Sequence, residues 1–157
     1  MKGAVKATHN SSVIGGVGGF AGLYDVSRLL TFKRPLLATS TDGVGTKVAI
    51  AQAMDIHDTI GFDLVGMVVD DIVVVGAEPL FMTDYIACGK VVPERIADIV
   101  RGIAAACSVA GTALVGGETA EHPACWASTN TMLPVPPPEL LRLPTCWART
   151  ASAPATW

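Results

Sequence analysis

Apolar side chains recur at helical spacing in two stretches of the chain. After Pro93 they occupy positions i, i+3, i+4, i+7, i+8 and i+11, which predicts a helix with one buried stripe. Gly111 stands where that helix is expected to end, since glycine favours the position after a helix. A second pattern predicts a helix over residues 58–75, with Gly76 as its stop. The stripe of the helix after Pro93 comprises Ile96, Ile99, Val100, Ile103, Ala104 and Cys107.

Short apolar runs predict the strands that accompany these helices. They cover Leu36–Thr41, Pro79–Cys88 and Thr112–Val115. Val48–Ala53 is predicted as a further short strand or a turn. Strands that alternate with helices indicate an α/β layer structure.

The pattern changes after Pro123. No apolar period is visible there, and the segment holds all three tryptophans and a cluster of prolines that interrupts every regular element. We therefore predict a folded domain over residues 1–123 and an irregular tail over residues 124–157. The prolines are Pro134, Pro136, Pro137, Pro138 and Pro144.

Composition excludes several classes of protein. With 157 residues, half of them hydrophobic and 16% charged, the chain has the make-up of one globular domain. A net charge of -3 gives no reason to expect nucleic acid or an anionic membrane as partner. There is no secretory signal and no apolar run long enough to span a bilayer. The four cysteines form no C-x-x-C pair, which favours reduced, buried thiols in a cytoplasmic protein.

The segment Asp42–Lys47 (DGVGTK) combines a carboxylate, two glycines and a lysine directly after a predicted strand. Glycine lets backbone N–H groups approach a phosphate, Lys47 adds positive charge, and Asp42 can hold Mg²⁺. The alternative interpretation is a plain turn. The segment is not a Walker A loop, because G-x-x-x-x-G-K-[ST] is absent.

Two further acidic clusters lie on other predicted elements. Asp70 and Asp71 stand side by side in an apolar helix, where carboxylates are costly to bury unless they are paired or bind a metal. Alternatively, one or both point to solvent. Gly116–Glu121 (GGETAE) follows a predicted strand, as ligand-binding loops commonly do, or forms a simple turn. Carboxylates from separate elements suit a Mg²⁺–nucleotide site. His57 is a candidate substrate contact or acid–base group, although a lone histidine is more often structural.

Four motifs, in their order and spacing, resemble the aminoimidazole ribonucleotide synthetase family, also called the phosphoribosylformylglycinamidine cyclo-ligases. They are GGVGGFAGLYD (Gly15–Asp25), STDGVGTK (Ser40–Lys47), the stretch His57–Lys90, and ALVGGETAEHP (Ala113–Pro123). The resemblance implies the family's N-terminal α+β domain, which binds ATP and dimerises, with the C-terminal domain missing.

The resemblance also implies an ATP- and Mg²⁺-dependent ligase of de novo purine biosynthesis, homodimeric and cytoplasmic. ATP phosphorylates the formyl-amide oxygen of formylglycinamidine ribonucleotide, the amidine side attacks the activated carbon, and the imidazole ring closes as ADP and phosphate leave. Some members have Asn-Asp in place of Asp70-Asp71, so Asp71 is the firmer match. The implied metal ligands are Asp42, Asp71 and Glu118, the catalytic candidates Lys47 and His57, and the nucleotide-binding positions Asp42, Gly43, Gly45, Thr46, Lys47, Gly116, Gly117, Glu118 and Thr119.

The chain departs from the family at both ends. It lacks the segment that precedes Met1 in the family and the whole C-terminal domain, so we expect it to be inactive by itself. We interpret residues 124–157 as translated out of frame, because permitted codons read one base earlier give GLLGLDEYDVAGAATGVVE and onward, which resembles the family's continuation. The alternatives are a non-catalytic remnant or a same-fold kinase or synthetase, such as thiamine-monophosphate kinase or selenophosphate synthetase. The strings GAEPLF-x-x-DY and GGETAE favour the cyclo-ligase.

Overall fold

The computed structural model describes residues 1–123 and the backbone of residues 140–149. A four-stranded sheet has the order β3 (Leu36–Gly43), β6 (Leu140–Arg149), β4 (Glu78–Cys88) and β5 (Ala113–Glu121) and packs against helices, and a separate two-stranded ladder joins β1 (Val13–Ile14) to β2 (Leu23–Tyr24). Strands β4 and β5 are parallel, whereas β6 is antiparallel to both of its neighbours. The elements are α1 (Lys2–Ala7), β1 (Val13–Ile14), β2 (Leu23–Tyr24), a 3-10 turn (Ser27–Thr31), β3 (Leu36–Gly43), α2 (Lys47–Met54), α3 (Ile60–Val73), β4 (Glu78–Cys88), α4 (Pro93–Ala110), β5 (Ala113–Glu121) and β6 (Leu140–Arg149).

The two long helices lie where the apolar spacing of the sequence predicts them. Helix α4 has proline in its first turn and ends at Gly111, whose φ of 70° suits glycine. Its predicted stripe is buried, and α3 presents a second buried stripe at four-residue spacing. A Cβ added at Gly61 or Gly102 would overlap the backbone of the facing segment, so these glycines let α3 and α4 approach closely. The α3 stripe comprises Leu64, Val68 and Ile72.

Three elements differ from the prediction. Val48–Ala53 lies in helix α2, because KVAIAQAM has no helix breaker and the left-handed Asp55 ends the helix after a full two turns. Gly116–Thr119 is strand rather than loop or turn, since pairing with β4 supplies backbone partners as far as Glu121. Helix α1 was not predicted, because one short turn carries little periodicity.

The prediction of an irregular tail is also wrong for residues 140–149, because they form strand β6. Strands β3 and β4 each present backbone N–H and C=O groups toward the space between them, and β6 pairs with both. Its ladder with β4 skips Thr83 and Asp84 near Pro144, which has no N–H to donate. Residues 124–139 and 150–157 lie outside the described residues.

The side chains of two of the four cysteines are described. Cys88 and Cys107 are buried and form no disulfide among the described residues, as expected, whereas Cys125 and Cys146 fall outside that part of the chain. Within the described ranges no helix combines the length and apolar character needed to cross a membrane.

Candidate functional site

The segment Asp42–Lys47 forms a strand–turn–helix junction. Asp42 is half-buried near the end of β3, and its Oδ1 accepts a 2.7 Å hydrogen bond from the Gly43 N–H. Val44 is buried and anchors the turn, while Gly45 has a φ of 58°. Thr46 occupies the N-cap of α2 without a side-chain capping bond. The N-terminus of α2 therefore presents backbone N–H groups and a partial positive charge with no side-chain cap, an arrangement that suits an anion.

Two polar contacts fasten this junction to helix α3. Ser40 Oγ donates a 2.8 Å hydrogen bond to Asp71 Oδ2, and Lys47 Nζ lies 2.9 Å from Asp63 Oδ1. Ser40 and Asp42 are two residues apart on β3, so their side chains share the face that meets α3. Asp42, Lys47 and Asp71 thus lie on three elements that these two contacts join, and a phosphate-and-cation site remains the prediction for this junction.

The adjacent carboxylates of α3 have different surroundings. Both Asp70 and Asp71 are exposed, so neither carries the cost of a buried charge. Asp71 contacts Ser40 of the neighbouring strand. Of the two, only Asp71 has a side-chain hydrogen bond to β3 among the described residues, and its role beside Asp42 stays a prediction.

Glu118 does not join these two carboxylates. Met82 contacts Cys107 of α4, so Met82 and Asp84 face the helices and Tyr85 faces away. Glu118 pairs with Tyr85 and shares its face, opposite to that of Asp42. Strands β3 and β5 are also three strand spacings apart, roughly 14 Å. Among the described residues no three His, Cys, Asp or Glu side chains lie close enough to hold a metal, so the expected three-carboxylate set is not assembled in this chain.

His57 occupies a structural position. Its side chain is 5% exposed, and Nε2 lies 3.2 Å from Asp55 Oδ1, which Arg95 also contacts. Nδ1 is buried without a hydrogen-bond partner in the described part of the chain. These contacts tie the α2–α3 connection to α4, as the structural alternative expects, and a catalytic role for His57 stays an untested prediction.

A cavity of about 270 Å³ opens between α1, α4, β5 and the glycine-rich loop. Asp84 is its buried acidic group, and the segment Gly116–Thr119 forms another wall. The remaining walls are largely apolar and carry Val5, Ile96, Val100 and Leu114, while Met1 and Lys2 add an amine and a lysine. The remaining lining residues are Val17, Gly18, Gly19 and Val115.

Asp84 is 8% exposed and makes no ion pair with any described side chain. Burial raises its pKa to about 6, against a smaller lowering by its own backbone N–H. A Cβ on Gly117 would overlap Asp84 Oδ1, so the glycine leaves the space that this carboxyl occupies. Burial, together with the nearby Asp84, raises the pKa of Cys107 to about 12.

The N-terminal segment covers the outer edge of β5 beside this cavity. Thr8 Oγ1 accepts a 2.9 Å hydrogen bond from the Leu114 N–H, and His9 Nε2 lies 3.0 Å from the Leu114 carbonyl oxygen. A Cβ on Gly22 would approach the Val115 carbonyl oxygen to 2.6 Å, so the glycine-rich loop packs directly on the strand. These contacts protect an edge that would otherwise be open to pairing.

Sequence reasoning missed three residues of these sites. Ser40 and Asp63 hold Asp71 and Lys47, yet a serine in a strand and an aspartate on an exposed helical turn carry no distinctive signal. Asp84 was predicted only as part of a strand. An acidic residue at an inward position between Met82 and Ile86 is the signal that could have found it, because period-two alternation assigns it to the core face.

Comparison with known proteins gives a family match over most of the chain. The family described as "AIR synthase related protein, N-terminal domain" matches residues 24–133. The phosphoribosylformylglycinamidine cyclo-ligase of Leptospira interrogans serovar Lai is 56% identical over 123 residues, which cover 78% of this chain and 36% of the relative. The chain thus spans about a third of the length of the curated relatives it matches.

Two solved structures share the fold at low sequence identity. Thiamine-monophosphate kinase from Stenotrophomonas maltophilia superposes with a TM-score of 0.69 at 16% identity, covering 94% of this chain and 41% of the kinase. The hydrogenase maturation protein HypE in complex with ATP gives a TM-score of 0.52 at 15% identity, covering 92% and 37%. These likenesses concern the fold alone.

Proposed function

The chain belongs to the AIR synthase related protein family, and we propose that it supplies the ATP-binding half of a phosphoribosylformylglycinamidine cyclo-ligase. The observation that carries the proposal is the junction at Asp42–Lys47, held to α3 by the Ser40–Asp71 and Lys47–Asp63 contacts. A 56% identical cyclo-ligase supports the choice of reaction. The ATP complex of the same-fold HypE protein supports the choice of nucleotide.

The proposed site fits a magnesium ion. Mg²⁺ usually takes one or two carboxylates and completes its shell with phosphate oxygens and water. Asp42 and Asp71 offer two such carboxylates from β3 and α3, near one another through Ser40. The bound ion would neutralise charge on the phosphate oxygens. The chain itself would hold the phosphates with the N–H groups at the start of α2 and with the ammonium of Lys47.

The proposed reaction closes the imidazole ring of aminoimidazole ribonucleotide in de novo purine synthesis. The formyl-amide oxygen of formylglycinamidine ribonucleotide attacks the γ-phosphate of ATP, and ADP leaves. The amidine side then attacks the activated carbon, a proton is lost from nitrogen, and phosphate leaves. Catalysis here is mainly positioning and charge stabilisation. The matched residues correspond to the family's N-terminal domain and to about a third of the relative's length, so we expect residues 1–157, tested alone, to bind ATP without turnover.

We also propose that the domain dimerises and works in the cytoplasm. Large apolar side chains are exposed on β3, α2 and α3, and such surfaces usually mark contacts with another chain or domain. The buried Cys88 and Cys107, which form no disulfide among the described residues, fit a reducing compartment. The exposed side chains include Leu36, Leu37, Ile50, Met54, Phe62, Val73 and Val74.

Calorimetric titration of the chain with ATP, in the presence and absence of Mg²⁺, tests the proposed function. We expect binding of one nucleotide per chain that is at least about tenfold tighter with Mg²⁺, because the metal links the phosphates to Asp42 and Asp71. GDP-mannose, a nucleotide sugar without a terminal phosphate, serves as a matched negative ligand. Failure to bind ATP under either condition would leave the chain as a non-catalytic remnant.

A further inference from the structure

The cavity beside β5 holds a carboxyl group that the proposed nucleotide site does not use. Asp84 lies on β4 and faces the helices, whereas the Asp42–Lys47 junction follows β3, two strand positions away across β6. The two sites therefore have separate walls. The carboxyl is 8% exposed and forms no ion pair with a described residue, which makes the cavity a candidate ligand site separate from the junction.

The surroundings of Asp84 indicate the chemistry of that occupant. A buried carboxyl without a cationic partner costs folding free energy, and proteins keep such groups mainly where they act on a ligand. Gly117 leaves room for the carboxyl, since any side chain there would overlap Asp84 Oδ1. The neighbouring walls are mostly apolar, so a small, planar cation with N–H donors would complement the site better than a second anion.

We propose that Asp84 receives the amidine group of the substrate, with the two carboxylate oxygens accepting two N–H bonds from the protonated amidine. A planar N–C–N unit matches a carboxylate in the same way as the arginine fork does. The apolar floor formed by Val100 and Leu114 would exclude water from that pair. The identity of the ligand rests on the proposed function, because formylglycinamidine ribonucleotide is the reactant that carries an amidine.

The cavity volume agrees with a subsite rather than a whole-substrate site. At about 270 Å³ it is below the usual range of about 300–1,000 Å³ for complete small-molecule pockets. It can hold the amidine end of the substrate while the rest extends past Lys2 and the glycine-rich loop. Asp84 is accordingly a binding residue for one functional group.

The test is titration of the isotope-labelled chain with acetamidinium, followed by NMR through the backbone amides of Gly116 and Gly117. Acetamide, the uncharged amide of the same shape, is the matched ligand. We expect acetamidinium to shift these amides saturably and acetamide not to do so. Asp84→Asn should weaken acetamidinium binding roughly tenfold to a hundredfold, and Glu94→Gln, which removes an exposed charge from α4 outside the cavity, should leave it unchanged.

A second variant, Gly117→Ala, keeps the inference testable if Asp84→Asn does not fold. Gly117→Ala keeps Asp84 but fills its space with a methyl group, so the same loss of binding is expected. Wild-type affinity in either correctly folded variant, or equal binding of acetamide, would overturn the inference. Titration of the same samples with Mg·ATP separates the two proposals. Acetamidinium binding through Asp84 without ATP binding would refute only the proposed function, and ATP binding without acetamidinium binding would refute only this inference.

Discussion

Asp71→Asn is expected to weaken binding of Mg·ATP by about a hundredfold and to leave binding of Mg²⁺-free ATP nearly unchanged. Asp71 is exposed, and its only described contact is the 2.8 Å bond from Ser40, so the substitution should hardly disturb folding. Only the affinity for Mg·ATP should fall, because the neutral amide oxygen of asparagine binds Mg²⁺ more weakly than a carboxylate does. Calorimetric titration with and without Mg²⁺ measures both affinities. The same pattern is expected for Asp42→Asn.

The neighbouring residue provides the control for this prediction. Asp70→Asn removes the same charge from the same exposed stretch of α3, yet Asp70 makes no described contact with β3. Its affinity for Mg·ATP should stay within about twofold of the wild type, because one screened surface charge has little effect. If Asp70→Asn and Asp71→Asn weakened binding equally, the effect would be general electrostatics and Asp71 would not be a metal ligand.

Asp84→Asn is expected to raise the free energy of unfolding at pH 7 by about 3 kcal/mol and to raise it far less at pH 4. Burial raises the pKa of Asp84 from 3.8 to about 6, a shift of about two units at 1.36 kcal/mol per unit. A raised folded-state pKa stabilises the protein below pH 3.8 relative to higher pH, and that stability is lost as pH rises through about 6. Asparagine is neutral at every pH, so the variant does not lose this stability as the pH rises. Urea unfolding at the two pH values measures the difference.

Several titratable or charged groups lie near Asp84 and affect its ionisation. Cys107 lies near it on α4, Glu118 is on β5, and Lys2 lines the same cavity. Asp70→Asn removes an exposed carboxylate from α3 and, as the matched control, should change the free energy of unfolding by less than about 0.5 kcal/mol. A gain for Asp84→Asn that is the same at pH 4 and pH 7 would show that the wild-type carboxyl is not destabilised by ionisation. An ionised, unpaired Asp84 at neutral pH is also the state that the amidine inference requires.

Periodicity alone predicted the elements that pack on the core. Helices α3 and α4 and strand β4 each contain several buried apolar residues at a fixed spacing, so the buried face of each element can be read from the sequence. Helix α2 has a weak stripe, with only Val48 and Ala51 buried, and it was mistaken for a strand or turn. The strand character of Gly116–Thr119 depends on pairing with β4 and not on its own residues. Such non-local pairing cannot be inferred from a local pattern.

The candidate site was predicted in parts. The Asp42–Lys47 junction follows from local chemistry, because glycine, lysine and a carboxylate after a strand favour phosphate binding. Its connection to Asp71 and the separation of Glu118 depend on which face each strand presents, and that follows from the sheet register. His57 had two interpretations from sequence, and its burial together with its contact to Asp55, which Arg95 also contacts, fits the structural one.

Backbone amide hydrogen exchange with and without Mg·ATP locates the nucleotide on the chain and so decides whether it binds at the β3–α2 junction. We expect slower exchange at Gly43–Lys47 and the first turn of α2, together with the Asp71 region of α3. His57 and its neighbours should exchange at unchanged rates. Protection confined to Gly116–Thr119, with none at Gly43–Lys47, would contradict the assignment of the nucleotide to the β3–α2 junction.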